Sequence, residues 1–272
     1  MVSRDNELPL TENKMESSVM NTLKTPGTAC LMGAALKKLM IALLAAGSLG
    51  SMSAISSFRH MGVEVTNLTN AIYFKPLMVS AHNADNHMFQ AGTAASASLQ
   101  AMAEGGDISF LDTDLAAVGA INIVDPAGGL LAPGTSASAT LMAGGQNKFL
   151  SVAAMLLPTN DGFVGLDAIR IPKKRGTYTY YLNGYDAGTE ANDEIINGGG
   201  APGTPGIPAD PGGNGGTGGS GVAGADHNTT VHVHRGIVGD TDATGGASDL
   251  NSVVHQWINP VAKVVITIGD GS

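Results

Sequence analysis

The sequence predicts an all-β fold, an antiparallel β-sandwich of about eight strands with a short helix and a long Gly/Pro-rich insert. Three observations favour this class. Short apolar segments recur along the chain and are separated by glycine and proline, which interrupt strands and favour turns. Several of these segments alternate apolar and polar residues, the period of a strand with one buried face. The chain also has 38 glycines and only 4% aromatic residues, so small side chains must fill much of its core.

The N-terminal half of the predicted sandwich contains two strands and two helical segments. Residues 63–69 alternate apolar and polar side chains. Residues 71–80 form an apolar strand that Pro76 interrupts, and a proline confines that point to an edge or a bulge. Residues 96–103 have the apolar spacing of a short helix, which we expect to cover one edge of the sandwich. Residues 108–118 carry a second helical turn.

The remaining strands follow turns that contain glycine and proline. Residues 149–157 are almost entirely apolar, which predicts a strand buried on both faces. Further strands are predicted at residues 137–141, 163–171, 177–182, 231–238 and 261–268.

Residues 198–224 differ in composition from the segments around them. Thirteen of these 27 residues are glycine, and prolines recur at every third position from Pro202 to Pro211. With almost no apolar side chain to bury, such a segment favours flexible, extended chain. We therefore expect a mobile loop that projects from the sandwich.

A secretory leader is predicted at the N-terminus. Two lysines precede an apolar run at residues 39–50, and small residues follow it, which is the layout of a signal peptide. The run is shorter than the roughly 20 residues that a transmembrane helix needs. We expect residues 1–54 to be a leader cleaved within residues 50–54, with an uncleaved N-terminal anchor as the alternative. Residues 55–272 would then form one secreted, periplasmic or cell-surface domain without a stable membrane span.

Charge, cysteine content and motifs exclude several classes of protein. The formal net charge of −9 disfavours nucleic acid and anionic membranes as partners. The only cysteine, Cys30, lies in the leader, so the secreted chain has no thiol for disulfides, catalysis or zinc-thiolate sites. The sequence also contains no Gly-x-Ser-x-Gly, His-Glu-x-x-His or phosphate-binding Gly-Lys-Ser/Thr motif. We therefore expect no enzyme and no nucleic-acid partner.

Two loops with carboxylates predict a calcium site. Residues 158–167 contain Asp161, and residues 185–190 contain Asp186 and Glu190. The loops lie about one strand-turn-strand apart, which places them at the same end of a sandwich. Carboxylates on glycine-containing loops supply the hard oxygen ligands that calcium prefers. Solvated loop acids are the alternative.

The same loops carry a family resemblance. The pattern Pro-x-x-Asp-x-Phe-Val-Gly-x-Asp from Pro158, followed by Asp-Ala-Gly-Thr and an acid from Asp186, resembles the F-spondin domain of spondin, mindin and bacterial secreted proteins. Four further segments are similar to conserved parts of that family and follow in the same order, at residues 63–69, 89–99, 103–107 and 259–264.

The resemblance implies a metal and a function. Family members bind calcium at positions that match Asp161, Asp186 and Glu190, although Glu190 replaces an aspartate of animal members. Animal members are disulfide-bonded, unlike this chain, and act as extracellular recognition units. We therefore expect a secreted, calcium-binding adhesion or recognition module whose partner is an extracellular protein or polysaccharide. Asp167 is expected to support the calcium site, and Asp193 is a spare carboxylate.

Two other segments suggest further metal chemistry. His232 and His234 would project from one face of a strand about 7 Å apart. With His82 and His87 they could chelate a transition metal. The alternative function is therefore a secreted metal-handling protein or enzyme. Residues 240–251 resemble the start of an EF-hand loop but lack the acid at its twelfth position, so we expect an ordinary turn, with a second calcium site as the alternative.

Overall fold

The computed structural model describes residues 58–213, 215–222 and 229–271. The predicted leader and Cys30 lie outside the described residues, as do parts of the Gly/Pro-rich insert. No helix in the described ranges is long and apolar enough to cross a membrane.

The described residues form nine strands and two helices. The strands are β1 (Arg59–Asn67), β2 (Tyr73–His82), β3 (Ile121–Val124), β4 (Ser136–Ala143), β5 (Phe149–Leu157), β6 (Gly162–Arg170), β7 (Gly176–Asp186), β8 (His232–Val233) and β9 (Ala262–Gly271). The helices are α1 (Ala97–Gly105) and α2 (Ser109–Ala117). The strands pair antiparallel in the order β3-β2-β5-β6-β7-β9-β1-β4, and β8 pairs with β7. The predicted antiparallel β architecture is confirmed, with nine strands instead of about eight.

Strand β7 joins the two halves of this sheet. Residues 176–182 pair with β9, whereas residues 183–186 pair with β6 and place Asp186 opposite Gly162. The outermost strands β3 and β4 also contact each other, so the sheet is nearly closed. Apolar side chains from both halves fill one main core, among them Phe74, Leu150, Val164 and Ile266. The strand ends that carry the candidate acids therefore lie side by side at one end of the sheet.

The central strand β5 is buried on both faces, as predicted. Every β5 residue after Phe149 is buried. One face lies on the main core, and the other is covered by α1, whose Leu99 and Met102 pack in one cluster with Met155. Ser96 caps the N-terminus of helix α1, because its hydroxyl accepts a hydrogen bond from Leu99 N at 3.1 Å. The predicted helix is confirmed, but it covers a face of the sheet instead of an edge.

Two other local predictions have different outcomes. The register of β2 against β5 shifts between Lys75 and Met78, so Pro76 lies at a bulge, as predicted. The strand predicted at residues 231–238 shrinks to the two residues of β8. The chain turns there because Gly236 has φ +88° and donates its N–H to the ring of His234. The short strand β3 is absent from the predicted set.

The Gly/Pro-rich insert packs against the protein, so the predicted projecting loop is not confirmed. Ile207 is fully buried and clusters with Ile237 and Leu250. Its N–H donates to Ile195 O at 2.8 Å. Because the insert has few apolar side chains, most of its described anchors are backbone N–H groups bonded to acids or carbonyls elsewhere.

Candidate functional site

The candidate site lies where the β5–β6 turn meets the segment after β7. Asp161 ends the turn, and Asp186 is the last residue of β7, opposite Gly162. Ala187 N donates to Asp161 O at 3.2 Å, which extends the pairing beyond the strands. The structure therefore brings Asp161 and Asp186 together, as their spacing in the sequence predicted.

Small residues permit this close approach. A Cβ on Gly162 would lie 2.6 Å from Thr159 Oγ1, the atom that accepts a hydrogen bond from Gly162 N and closes the turn. Gly188 has φ +70°, and a Cβ there would lie 2.6 Å from Thr230 N. Because other residues would be strained or would clash at these two positions, glycine fixes the path of both acidic loops.

The Asp161 carboxylate is fully buried and only partly hydrogen-bonded. Its Oδ2 accepts from Thr189 N at 2.7 Å, Thr189 Oγ1 at 3.1 Å and Glu190 N at 3.1 Å. Its Oδ1 is buried and has no hydrogen-bond partner among the described residues. A buried carboxylate oxygen without a donor is costly, so this atom is an available ligand for a cation.

The Asp186 carboxylate is more fully engaged. Its Oδ1 accepts from Gly188 N at 2.7 Å, and its Oδ2 accepts from Asn192 Nδ2 at 2.6 Å. His232 Nδ1 lies 3.7 Å from Asp186 Oδ1. Of the three predicted ligands, Asp186 would have to exchange existing bonds in order to hold a metal.

Glu190 reaches the site from the segment after β7 and touches the insert. Its Oε2 accepts from Gly206 N at 3.1 Å, whereas its Oε1 is buried without a hydrogen-bond partner in the described part of the chain. Glu104, near the end of α1, is close enough to affect its charge and accepts from Gly203 N at 2.6 Å. The insert therefore lies over two acids, each of which it bonds through a glycine N–H.

Burial and mutual repulsion make the carboxyl groups of this site difficult to ionise. Burial, followed by repulsion from Asp186, raises the pKa of Asp161 to about 6. Burial is also the largest cause that raises the pKa of Glu190 to about 8, with repulsion from Glu104 and Asp161 adding to it. The amides of Gly206 and Asn160 partly oppose this rise. Carboxyls that resist ionisation in this way become easier to ionise when a cation is bound.

The donor chemistry of these acids fits calcium, although the site is not fully assembled. Within the described ranges, no group of three or more His, Cys, Asp or Glu side chains is arranged to hold a metal ion. The two available carboxylate oxygens, Asp161 Oδ1 and Glu190 Oε1, are hard ligands on loops, which is the type that calcium uses. A bound ion would draw further ligands from carbonyls, water or a rearranged Asp186.

The two additional acids lie in different places. Asp193 Oδ1 accepts from Asn160 Nδ2 at 2.9 Å and so ties the segment after β7 to the β5–β6 turn. Asp167 lies on β6, six residues after Asp161, which separates the two by about 20 Å. It bonds instead to His87 at 2.5 Å and to Met88 N at 2.8 Å. The position of Asp167 therefore does not fit its expected role beside the calcium site.

The histidines of the alternative metal site do not gather. His82 bonds to Ser151 Oγ at 2.7 Å, and His87 pairs with Asp167. His232 bonds to Thr230 O at 2.8 Å. The His234 ring lies 4.9 Å from that of Trp257. The four rings thus have separate surroundings.

The EF-hand-like segment forms a closed turn. Asp240 Oδ2 accepts from Ala247 N at 2.8 Å and Ser248 N at 2.9 Å, and its Oδ1 accepts from Asp242 N at 2.9 Å. These hydrogen bonds hold the pKa of Asp240 below its usual range. Backbone donors thus occupy the positions that a calcium ion would need.

Two buried acids that no sequence motif marks organise the C-terminal third of the protein. Glu194 is 2% exposed and accepts from Val238 N, Gly239 N and Ser248 Oγ at 2.6 to 2.8 Å. Asp249 accepts from donors in and beside the insert, including Thr217 N and Ile196 N. Their only sequence signal was indirect, since a glycine-rich segment without apolar side chains needs acceptors for its N–H groups.

Comparison with known proteins agrees with the motif resemblance. Residues 66–194 match the model of the spondin N-terminal family, Spondin_N, and this range contains all three candidate calcium ligands. No curated protein matches the chain. The matched range covers β2 to β7, both helices and the acidic loops. Residues 66–194 of this chain are therefore similar to the spondin N-terminal domain.

Proposed function

We propose that this protein is a secreted recognition or adhesion module in which calcium stabilises the loops after β5 and β7. One observation carries the proposal: a buried acidic cluster at one end of a domain similar to the spondin N-terminal domain contains two carboxylate oxygens without hydrogen-bond donors in the described chain. Animal members of this family act as extracellular recognition units, and the family match supports the same role for this chain. The proposed partner is an extracellular protein or polysaccharide.

Asp161 and Glu190 would bind the ion through Oδ1 and Oε1, the atoms that lack donors among the described residues. Asp186 would join them only by exchanging its bond to Gly188 N or Asn192 Nδ2. Calcium accepts six to eight oxygen ligands with flexible geometry, so water and carbonyl groups would complete the site. The ion would offset the repulsion among the acids and hold the two loops together.

Calcium binding would also release protons. Without the ion, the raised pKa of Glu190, about 8, keeps this side chain largely protonated at neutral pH. Metal ligands must be deprotonated, so the affinity for calcium should rise with pH. Calcium-dependent order in these loops would in turn make partner binding calcium-dependent.

Thermal and chemical unfolding of the purified protein, with calcium and with a chelator, tests the proposal. Calcium at a hundredfold excess over its Kd should raise the free energy of unfolding by about 2.7 kcal/mol. The Asp161→Asn variant should lose this response, whereas Asp85→Asn, which changes an exposed acid outside the site, should keep it. Equal unfolding curves with and without calcium would contradict the proposal.

Binding to immobilised matrix proteins and polysaccharides, measured with calcium and with a chelator, tests the recognition function. Elemental analysis of the same preparation addresses the alternative of a metal-handling protein or enzyme built on His232 and His234. Stoichiometric zinc or copper that His234→Ala removes, without any calcium response, would favour that alternative. We expect calcium-dependent adhesion and no bound transition metal.

A further inference from the structure

A cavity of about 300 Å³ lies at the end of the sheet opposite the acidic cluster. It is bounded by the start of β1, the β4–β5 turn, the β6–β7 turn and the end of β9. Strand β6 runs from Gly162, beside the acids, to Arg170, which lines the cavity. Nine residues of strand separate the two ends by about 27 Å. The cavity is therefore a different site from the candidate calcium site.

Basic side chains are concentrated around this cavity. The described residues contain nine Lys and Arg side chains, although the formal net charge of the whole chain is −9. Four of the nine line the cavity, and two more lie in the same β6–β7 turn: Arg59, Lys148, Arg170 and Lys173, then Lys174 and Arg175. None of the described side chains that line it is acidic. Like charges this close repel one another, and a bound anion would offset that repulsion.

Hydrogen bonds hold the basic turn in place. The Arg59 guanidinium donates to Lys173 O, which fastens the turn to the start of β1. Ile171 N donates to Lys148 O at 2.9 Å, which fastens it to the residue before β5. The backbone around the cavity is thus ordered before any ligand arrives, and this reduces the entropy that binding must overcome.

The rest of the cavity wall is apolar, apart from one amide. Ala143, Ile171, Pro172 and Ile268 supply the apolar surface. Asn147 is 6% exposed and donates through Nδ2 to a backbone carbonyl. Its Oδ1 is buried and has no donor among the described residues. The cavity therefore combines a cationic rim with an apolar wall.

We propose that this cavity binds a small organic anion, namely an apolar body that carries a carboxylate, sulfate or phosphate group. The anionic group lies among Arg59, Arg170 and Lys173, because guanidinium groups bind planar and tetrahedral anions through paired hydrogen bonds. The apolar body contacts Ile171 and Ile268. The volume is at the small end of the range for ligand pockets, which favours a compact molecule over a polymer.

Isothermal titration calorimetry with probes that share one body tests this site. The anionic probes are 2-naphthoate, 2-naphthyl sulfate and 2-naphthyl phosphate; 2-naphthamide is the neutral control, and inorganic sulfate lacks the apolar body. At low salt, at least one anionic probe should bind at a single site, at least about tenfold more tightly than the amide or inorganic sulfate. Binding should persist in the presence of a chelator and in Asp161→Asn, so failure here is distinct from failure of the calcium site.

Two sets of variants locate the binding. Arg170→Gln combined with Lys173→Gln should lower the affinity for the anionic probe by at least about tenfold, since both exposed side chains line the cavity. Lys75→Gln removes the same kind of charge from an exposed position outside the cavity and should change the affinity less than twofold. In the parent protein, the probe should shift the amide NMR resonances of Gly144, Gly145 and Ile171.

Several results would overturn the proposal. Absence of saturable binding by all three anionic probes would do so, as would equal binding of the neutral amide. Inorganic sulfate binding as tightly as 2-naphthyl sulfate would establish a simple inorganic-anion site and exclude the apolar contact. NMR shifts confined to residues outside the cavity would also contradict the proposal. This measurement uses the parent protein, so it remains decisive even if the double variant does not fold.

Discussion

The two ends of this sheet carry opposite charges in different environments. Where β6 begins, acids lie inside the fold: Asp161 is 0% and Asp186 is 2% exposed. Where β6 ends, Arg170 and Lys173 are exposed around a cavity. The acids accept hydrogen bonds from backbone and side-chain donors on neighbouring loops. The exposed cations surround an apolar wall.

This difference separates what each set of charges controls. A buried charge is coupled to folding, because unfolding returns it to water and breaks its hydrogen bonds. An exposed charge contributes little to folding but determines which ligands approach. Changes at the acidic end should therefore alter the free energy of unfolding, and changes at the basic end should alter binding alone.

The largest effect is expected at Glu194, which borders the acidic end through a hydrogen bond from its N–H to Asn160 Oδ1 at 3.2 Å. Glu194→Ala leaves Val238 N, Gly239 N and Ser248 Oγ without their acceptor. Loss of a buried charged acceptor of this kind should lower the free energy of unfolding by about 4 kcal/mol.

Urea denaturation of Glu194→Ala measures this loss. Glu64→Ala is the matched control, because Glu64 is exposed on β1 and should change the free energy of unfolding by less than about 0.5 kcal/mol. Equal effects of the two substitutions would mean that the buried acid does not hold the C-terminal segments together.

The second prediction concerns pH. The folded protein holds a proton on Asp161 more tightly than the unfolded chain does, because its pKa rises from 3.8 to about 6. The resulting stabilisation is present below pH 3.8 and is lost as the pH rises through about 6. Without calcium, the ionisation of Asp161 should lower the free energy of unfolding by up to about 3 kcal/mol between pH 4 and pH 8. Glu190, with its pKa raised to about 8, adds a loss of the same sign at higher pH.

The pH effect is isolated by comparing the parent with Asp161→Asn in the presence of a chelator. Other groups also titrate in this range, including His255, whose pKa burial lowers and which therefore favours folding as the pH rises. Because both proteins contain these other groups, the difference between their pH profiles reports the ionisation of Asp161. The parent should lose more stability than the variant between pH 5 and pH 8. Parallel pH profiles would mean that Asp161 ionises normally.

The third prediction tests whether the Gly/Pro-rich insert packs against the rest of the protein. Ile207 is fully buried against Ile237 and Leu250, in a small cluster. Ile207→Ala should therefore lower the free energy of unfolding by about 2 kcal/mol, at the lower end of the range for such truncations. Limited proteolysis within residues 198–213 should accelerate in the variant. Cleavage of the parent at the variant's rate would show that the insert does not pack as described.

The sequence predicted regular structure better than it predicted the connections. The apolar run in β5 and the bulge at Pro76 follow from local patterns that the fold preserves. The spacing of Asp161 and Asp186 also sufficed, because a hairpin brings the ends of adjacent strands together. The packing of Ile207 depends on partners that lie far away in sequence. No local pattern in the sequence encodes such contacts.

The same limit applies to the basic cavity. Arg59 lies more than a hundred residues before Lys173 in the sequence, and only the pairing of β1 with β9, and of β9 with β7, brings them together. The sequence shows only that the lysines of the β6–β7 turn lie between the two acidic loops. It gave no sign that these lysines border a cavity.

The smallest effect on stability is expected at the basic end. Arg170 and Lys173 are exposed, and Arg59 bonds to the backbone carbonyl of Lys173, which the side-chain substitution preserves. Arg170→Gln combined with Lys173→Gln should therefore change the free energy of unfolding by less than about 0.5 kcal/mol, or raise it slightly at low salt by relieving repulsion. Urea denaturation at low and high salt measures this change. A loss near that of Glu194→Ala would show that the exposed cations are structural, and the contrast between the two ends would fail.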